Sequence, residues 1–369
     1  MNKIVHTIIL TLFSTAIFAQ DKMAVELKLL LDDNKHEEII SKYGKSTEDY
    51  SARSLYYIGL AYYMKADDAN CLQFVNRSIE KDSTDAEPLQ IKGLTLLYMG
   101  KFDEATLCIQ KALVLKPDFA QAYSALGDVY YAQGKKQAAL EAFEKATLQP
   151  KCPERPYSMI AQIYSDQQED KKTLAAYYEA KNNISKQSPS YVQVLYNIGL
   201  LESMQGNYDK AEVVFLELLQ LSPDDYPTYA RLIQIYHSRK EYEKAQPYKD
   251  KLYKAHDKGL LKDNLTERFC FEQFTWKEYH IQAFERFQNK SEGKIYNKHI
   301  FYVADKDDNV VMTVQTEYSP ISVELGGPKY LLCGNKGSTH FNAAIGYNDD
   351  LKHDKLKENV IKILERYLN

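Results

Sequence analysis

The stretch LYYIGLAYYM, Leu55 to Met64, sets Gly59 in the middle of an otherwise favourable helical run. A glycine there costs roughly 0.5 to 1 kcal/mol relative to alanine. One such residue is an accident, but the arrangement returns at Gly93, Gly127 and Gly199. Aligned on these glycines, segments begin near Ala52, Ala86, Ala120, Glu154, Val192 and Tyr226, at intervals of 34, 34, 34, 38 and 34 residues. The fourth residue of each is large and apolar (Leu55, Leu89, Tyr123, Tyr157, Leu195, Tyr229) and the eighth is small (Gly59, Gly93, Gly127, Ala161, Gly199), until Ile233 breaks the pattern in the last. A period of this length demands a repeat architecture.

The second half of each segment opens with a turn and a polar start, as in GKFDEATLCIQKAL, GKKQAALEAFEKAT, GNYDKAEVVFLELL and KEYEKAQPYKDKLY. Gly100, Gly134 and Gly206 suit the left-handed conformation that ends a helix, and Asp103 and Glu104 suit the next N-terminus. Proline then closes the unit at Pro117, Pro150 and Pro223. Each segment therefore reads as helix, turn, helix. The four additional residues of the unit beginning at Glu154 fall in the polar NNISKQSPS, and NKHEEIISKYG marks an earlier unit over residues 21–51 whose first helix, MAVELKLLL, lacks the small residue. A terminal unit of a stack is expected to be atypical, because one side faces solvent.

This pattern resembles the tetratricopeptide repeat (TPR) family. Gly93, Ala105, Ile109, Ala112 and Pro117 match the family's places 8, 20, 24, 27 and 32, although Lys92 and Leu96 depart at 7 and 11. Leu126, Gly127, Tyr130, Ala139, Phe143 and Ala146 match the corresponding places in the next unit. The resemblance implies an all-α superhelix of about six to seven stacked helix pairs over residues 20–257. It also implies that first helices line a concave face, with places 2, 5, 9, 12 and 13 toward a bound segment. Among those places are Arg53, Tyr56, Tyr63 and Met64; Gln90, Leu97 and Tyr98; Gln121, Asp128 and Tyr131; and Arg155 and Gln162. The early set is aromatic and the middle set polar, which suits a peptide or protein segment with an apolar anchor; the alternative is that the tyrosines pack inside the array. The lysine and asparagine set with which chaperone adaptors of the family clamp a terminal carboxylate is not present, so a cytosolic chaperone adaptor is not expected.

Composition sets the remaining bounds. The 369 residues are 44% hydrophobic and 27% charged, with a formal net charge of -4 and no long run of one sign, so no nucleic-acid or anionic-membrane partner is implied. Residues 1–19 read as a secretory signal peptide, with Lys3 before an apolar core from Ile8 to Phe18 and Ala19 at the cut, rather than as an uncleaved anchor. An exported chain, periplasmic or extracellular and without membrane insertion after cleavage, is expected. None of Cys71, Cys108, Cys152, Cys270 and Cys333 has metal-ligand spacing; Cys71 and Cys108 read as packing thiols, and Cys270 and Cys333, in expected strands of one domain, are a candidate pair whose separation the sequence does not give.

After residue 264 the helical period stops. RFCFEQF, EYHIQAFERFQ, KHIFYVAD, NVVMTVQTEY, KYLLCG and THFNAAIGY alternate like about six strands, with loops at TWKE and DKDDN. The closing segment carries Leu356, Val360, Ile363, Leu364 and Leu368 on one helical stripe. Residues 265–369 thus read as a small α+β domain, an antiparallel sheet with a C-terminal helix. Its chemistry offers His280, His299 and His340 as a three-histidine metal site, Cys333 with His340 as nucleophile and base, and GNKGSTH from Gly334 as a phosphate loop. Each lacks the orienting group or the strand, loop and helix setting that such sites need. Glu317 and Glu324 have no evident roles. The expectation is a non-enzymatic interaction protein without metal or cofactor, of unspecified oligomeric state. The alternatives are a hydrolase or ligand site in the C-terminal domain served by the repeats, and an assembly factor acting through oligomerisation.

Overall fold

The computed structural model describes residues 22–45, 49–261, 268–286, 298–318, 330–336, 339–343 and 353–368, with backbone alone for 317–318, 330–336 and 339–343. The leader expected over residues 1–19 lies outside them. The chain divides into two compact units, one ending at Tyr191 and one beginning at Val192.

The first unit is built of helix pairs: α1 (22–32) with α2 (His36–Tyr43), α3 (Ala52–Met64) with α4 (Asp68–Lys81), α5 (Ala86–Tyr98) with α6 (Phe102–Leu115), α7 (Ala120–Ala132) with α8 (Lys136–Thr147), and α9 (Arg155–Asp166) with α10 (Asp170–Asn183). The periodic glycines explain the pairing. A Cβ placed on Gly59 would meet Val75 Cγ2 at 2.7 Å, one on Gly93 would meet Ile109 Cγ1 at 2.4 Å, and one on Gly127 would meet the Phe143 ring at 2.6 Å. In these three pairs the missing side chain is what lets the second helix close on the first, and dense packing of buried Val75, Ile109 and Phe143 offsets the propensity cost. Tyr62, at the family's packing place, is buried and stacks on Phe74 at 5.5 Å.

The turns carry a second periodicity that composition conceals. Gly100 and Gly134 have φ of +74° and +73°, and the equivalent place in other pairs is held by Asn34 (φ 59°), Ala66 (φ 56°) and Gln168 (φ 59°). The left-handed residue is a property of the repeat rather than of glycine, and three pairs of this unit adopt it with a side chain present.

The second unit contains α11 (Pro189–Met204), α12 (Tyr208–Leu221), α13 (Tyr226–Ser238) and α14 (Tyr242–Asp257), then strands β1 (Phe269–Trp276), β2 (Tyr279–Arg286), β3 (Lys298–Ala304), β4 (Val310–Tyr318), β5 (Tyr330–Lys336) and β6 (Thr339–Ala343), and finally α15 (His353–Tyr367). Gly199 meets Phe215 as Gly127 meets Phe143, and Gly206 and Lys240 hold the left-handed turns. The strands form one antiparallel meander in chain order. Trp276 pairs with Tyr279 across a two-residue turn whose first residue, Lys277, has φ 52°. In the DKDDN loop the Asp305 carboxylate accepts the backbone N–H groups of Asp307 and Asn309 at 2.9 and 3.0 Å.

Alternation decides what the sheet buries. Ile281 and Ala283 of β2, Phe301 and Val303 of β3, and Met312 and Val314 of β4 point to one face, and the stripe Leu356, Val360, Ile363, Leu364 of α15 is buried in the same core. That core also contains Phe215, Tyr229, Leu232, Ile233, Tyr236 and Leu252 from α12 to α14. Ile233, the departure at the eighth place, is fully buried in this same cluster. The compact unit does not end where the helical period ends, because the last helix pairs and the sheet bury one apolar cluster.

Register also settles two readings of the sequence. Cys270 on β1 is separated from Cys333 on β5 by β2, β3 and β4, roughly 19 Å at about 4.8 Å per strand, beyond disulfide reach. Cys270 is a buried free thiol whose Sγ donates to Glu272 O at 3.3 Å. GNKGSTH is the β5–β6 hairpin, strand to strand, so no helix N-terminus follows it to hold a phosphate.

Candidate functional site

The first helices of successive pairs touch, α3 with α5, α5 with α7 and α7 with α9, so side chains of neighbouring pairs can meet. Tyr63 of α3 packs on Tyr98 of α5, ring centroids 6.0 Å apart. Tyr98 is 69% exposed and Met64 54%, an apolar step open to solvent. Farther along, Arg155 Nε of α9 donates to both carboxylate oxygens of Asp128 of α7 at 2.8 and 2.9 Å. Burial raises the Asp128 carboxyl above its ordinary value, and the Arg155 charge opposes that rise. Asp166 accepts from Lys136 (2.9 Å), Gln162 Nε2 (2.8 Å) and Tyr131 OH (3.2 Å), and the Lys136 bond leads in holding its carboxyl low. Gln121 is exposed and Leu97 half-buried. Arg53 is engaged by Asp85 at 3.2 Å and Glu87 at 2.6 Å and lies over the Tyr56 ring. Tyr56 and Gln90 are buried, so these two expected contact residues belong to the packing between helices.

A second constellation lies in the other unit. Glu285 of β2 is 2% exposed; its Oε1 is 3.4 Å from His299 Nε2 of β3, and its Oε2 is 3.0 Å from His353 Nε2 in the first turn of α15. The Tyr253 hydroxyl of α14 donates to the same Oε2 and lies 3.4 Å from His353 Nε2. Phe271 stacks on the His353 ring at 4.0 Å and meets His299 edge-on at 5.8 Å. Burial pushes the Glu285 carboxyl up, but hydrogen bonds from His299 and His353 outweigh it and hold the group well below the carboxylate range. The three ligand-type atoms all lie within 4.8 Å of one another, the geometry of a cluster able to hold a cation.

A cavity of about 430 Å³ opens elsewhere on this unit, lined by His237, Lys240, Gln273, His280, Tyr302 and Asp308 among others. His237 is 4% exposed and neither ring nitrogen has a hydrogen-bond partner. Burial first, and then the Lys249 charge, lower its pKa to about 4.

Comparison with known proteins decides the helical part. Two tetratricopeptide repeat models match, one over residues 92–156 and one over residues 192–225. The helix pairs over those residues are tetratricopeptide repeats, and the other pairs are TPR-like. No family model matches the C-terminal domain. The chain is 24% identical over 211 residues to the human protein O-mannosyl-transferase TMTC1, covering 57% of this chain and 24% of that protein. It is 25% identical over 210 residues to the Dictyostelium discoideum DnaJ homolog subfamily C member 7 homolog, covering 52% and 37%. The chain thus spans a quarter to just over a third of the length of these relatives. Among solved structures, pilF of Pseudomonas aeruginosa aligns with TM-score 0.45 and 14% identity over 56% of this chain and 92% of its own. YrrB, a TPR protein with an unusual peptide-binding site, aligns with TM-score 0.39 and 21% identity over 48% and 89%.

Beyond the TPR array, the three-histidine site is not formed. His280 and His299 stand at opposite ends of the β2–β3 pairing, opposite Ala304 and Glu285 respectively. His340 lies on β6, separated from β2 by three strands. His299 instead joins Glu285 and His353, neither of which its sequence setting singles out. Cys333 pairs with Asn342 and His340 with Asn335 in the β5–β6 backbone, and Glu317 pairs with Leu331; their side chains, and Glu324 altogether, lie outside the described residues. Among the described residues no helix is long and apolar enough to cross a membrane.

Proposed function

We propose that the chain is an exported, non-enzymatic scaffold whose TPR array holds a peptide or extended protein segment on its first-helix face, while the C-terminal domain binds a second partner. TPR arrays are protein-interaction scaffolds; the observation that carries the finer reading is the face running from Tyr63, Met64 and Tyr98 to Asp128, Arg155 and Gln162. It offers an exposed aromatic and thioether anchor followed by polar groups at helical-repeat spacing, the chemistry that grips a side chain and then a peptide backbone. The leader-like residues 1–19 support export. A second reading, in which the repeats deliver a substrate to the C-terminal domain, is favoured by the buried Glu285, His299 and His353 cluster.

The test uses the full chain against a random peptide display library. Selected peptides should lose at least tenfold in affinity, about 1.4 kcal/mol, on Tyr98→Ala and on Gln162→Ala, with the unfolding midpoint unchanged because both side chains are exposed. Peptides indifferent to both substitutions would locate binding elsewhere and end this reading. Export is checked by the N-terminus of the protein recovered from its native cells: a start at Gln20 supports it, and retention of Met1 refutes it.

A further inference from the structure

Four elements remote in sequence converge on one point of the second unit: β2 brings Glu285, β3 His299, α15 His353 and α14 Tyr253. We propose that Glu285, His299 and His353 bind one divalent first-row transition ion of the zinc or ferrous class. The inference is independent of what the repeat face binds.

The distances already approach those of a ligand shell. With metal–ligand bonds of roughly 2.0 to 2.2 Å, adjacent ligands of a tetrahedral ion stand about 3.3 to 3.6 Å apart. The carboxylate oxygens of Glu285 lie 3.4 Å and 3.0 Å from the two imidazole Nε2 atoms. Small adjustments of side chains, with no movement of backbone, would admit the ion. Two imidazoles and one carboxylate, with no thiolate, form a donor set suited to zinc or ferrous iron, and three protein ligands leave coordination positions open.

The surroundings fit the same purpose. The His353 side chain is 36% exposed while those of Glu285 and His299 are nearly enclosed, so the cluster has one side through which an ion and its water can enter. Tyr253 donates to the carboxylate and fixes its rotation, and Phe271 stacked on His353 fixes that ring, which is how metal ligands are held ready for an ion. His299 Nε2 faces the Glu285 carboxylate at 3.4 Å and its Nδ1 has no hydrogen-bond partner, so when an ion takes the Nε2 lone pair the ring proton can move to Nδ1 without breaking another bond. Without an ion the same three groups satisfy one another by hydrogen bonding, which accounts for a buried glutamate that is stable in either state.

The experiment strips the full-length protein with chelator and exposes it separately to zinc, ferrous iron under anaerobic conditions, manganese and magnesium. Metal per chain is then measured, with affinity from competition against a chromogenic chelator. One zinc or one ferrous ion per chain is expected, with magnesium displaced by simple dialysis. His353→Ala and His353→Gln, at a half-buried helix start, should each weaken binding at least 100-fold, whereas His280→Ala should not. Cobalt loaded into the site should give visible absorption bands that both His353 variants abolish. Substoichiometric uptake of every metal, or uptake unchanged in both His353 variants, overturns the proposal.

Discussion

Gly127→Ala isolates the rule that shapes the array, because it adds one methyl group where the structure leaves no room. The new Cβ would stand 2.6, 2.6 and 2.8 Å from three atoms of the Phe143 ring, against ordinary carbon contacts of about 3.5 to 4.0 Å. The ring must retreat by about 1 Å, yet Phe143 is fully enclosed. Overpacking of this kind costs typically 1 to 3 kcal/mol, and the enclosed ring places this case at the upper end. Helix propensity acts the other way, since alanine is favoured over glycine by about 1 kcal/mol. The net expectation is destabilisation by about 2 kcal/mol, read as a lower urea midpoint by circular dichroism and as faster amide exchange confined first to α7 and α8. A double-mutant cycle with Phe143→Leu separates the causes. With the ring removed, Gly127→Ala should become neutral or stabilising, giving a coupling of about 2 kcal/mol. If Gly127→Ala stabilises the unaltered chain, or if the two substitutions add, close helix approach is not the reason for the glycine.

Three further outcomes follow from features away from that contact. Gln168→Gly and Lys240→Gly should each stabilise by about 0.5 to 1 kcal/mol, since both hold a left-handed turn with an exposed side chain, while Gly134→Ala should destabilise by a similar amount; urea midpoints that move in the opposite directions would contradict this. His237 should make the second unit acid-sensitive. Its pKa falls from an ordinary 6.5 to about 4 on folding, so the stability present above pH 6.5 is lost as pH falls from there toward 4, by up to about 3 kcal/mol, and His237→Gln should flatten that slope in unfolding curves taken across the window. Truncation after residue 257 should expose the apolar faces of α13 and α14 that the sheet covers and cause aggregation; a monomeric product with α13 and α14 protected from exchange would show that those helices do not need the sheet.

The array was legible because its signal is repeated: a glycine at one place in several units carries its own explanation, as Gly59 does once Val75 is seen beside it. The strand meander and the α15 stripe were legible from periods of two and of three to four. What eluded sequence reading is long-range pairing. Glu285 and His299 face each other across β2 and β3, but residues 287–297 lie between, too long a connection to fix register as the two-residue turn at Lys277 does. His353 reaches them from 68 residues beyond Glu285, and no local pattern announces that return. Tyr56 and Gln90 show the limit of place-by-place transfer: both stand at place 5, which is buried again at Ser124 and Ala230, so here it is the place itself that the packing covers.

The apolar core shared by the last helix pairs and the sheet bears on how such a chain can change over generations. A stack of interchangeable units lengthens by duplication wherever each new face meets an old one. Past residue 257 that freedom ends: a copied helix pair inserted there would separate Tyr229, Tyr236 and Leu252 from Phe269, Phe271 and Phe301, presenting the sheet with a surface it was not matched to. The junction therefore acts as a terminus in evolutionary terms, and additional repeats gained by this lineage belong upstream of α13.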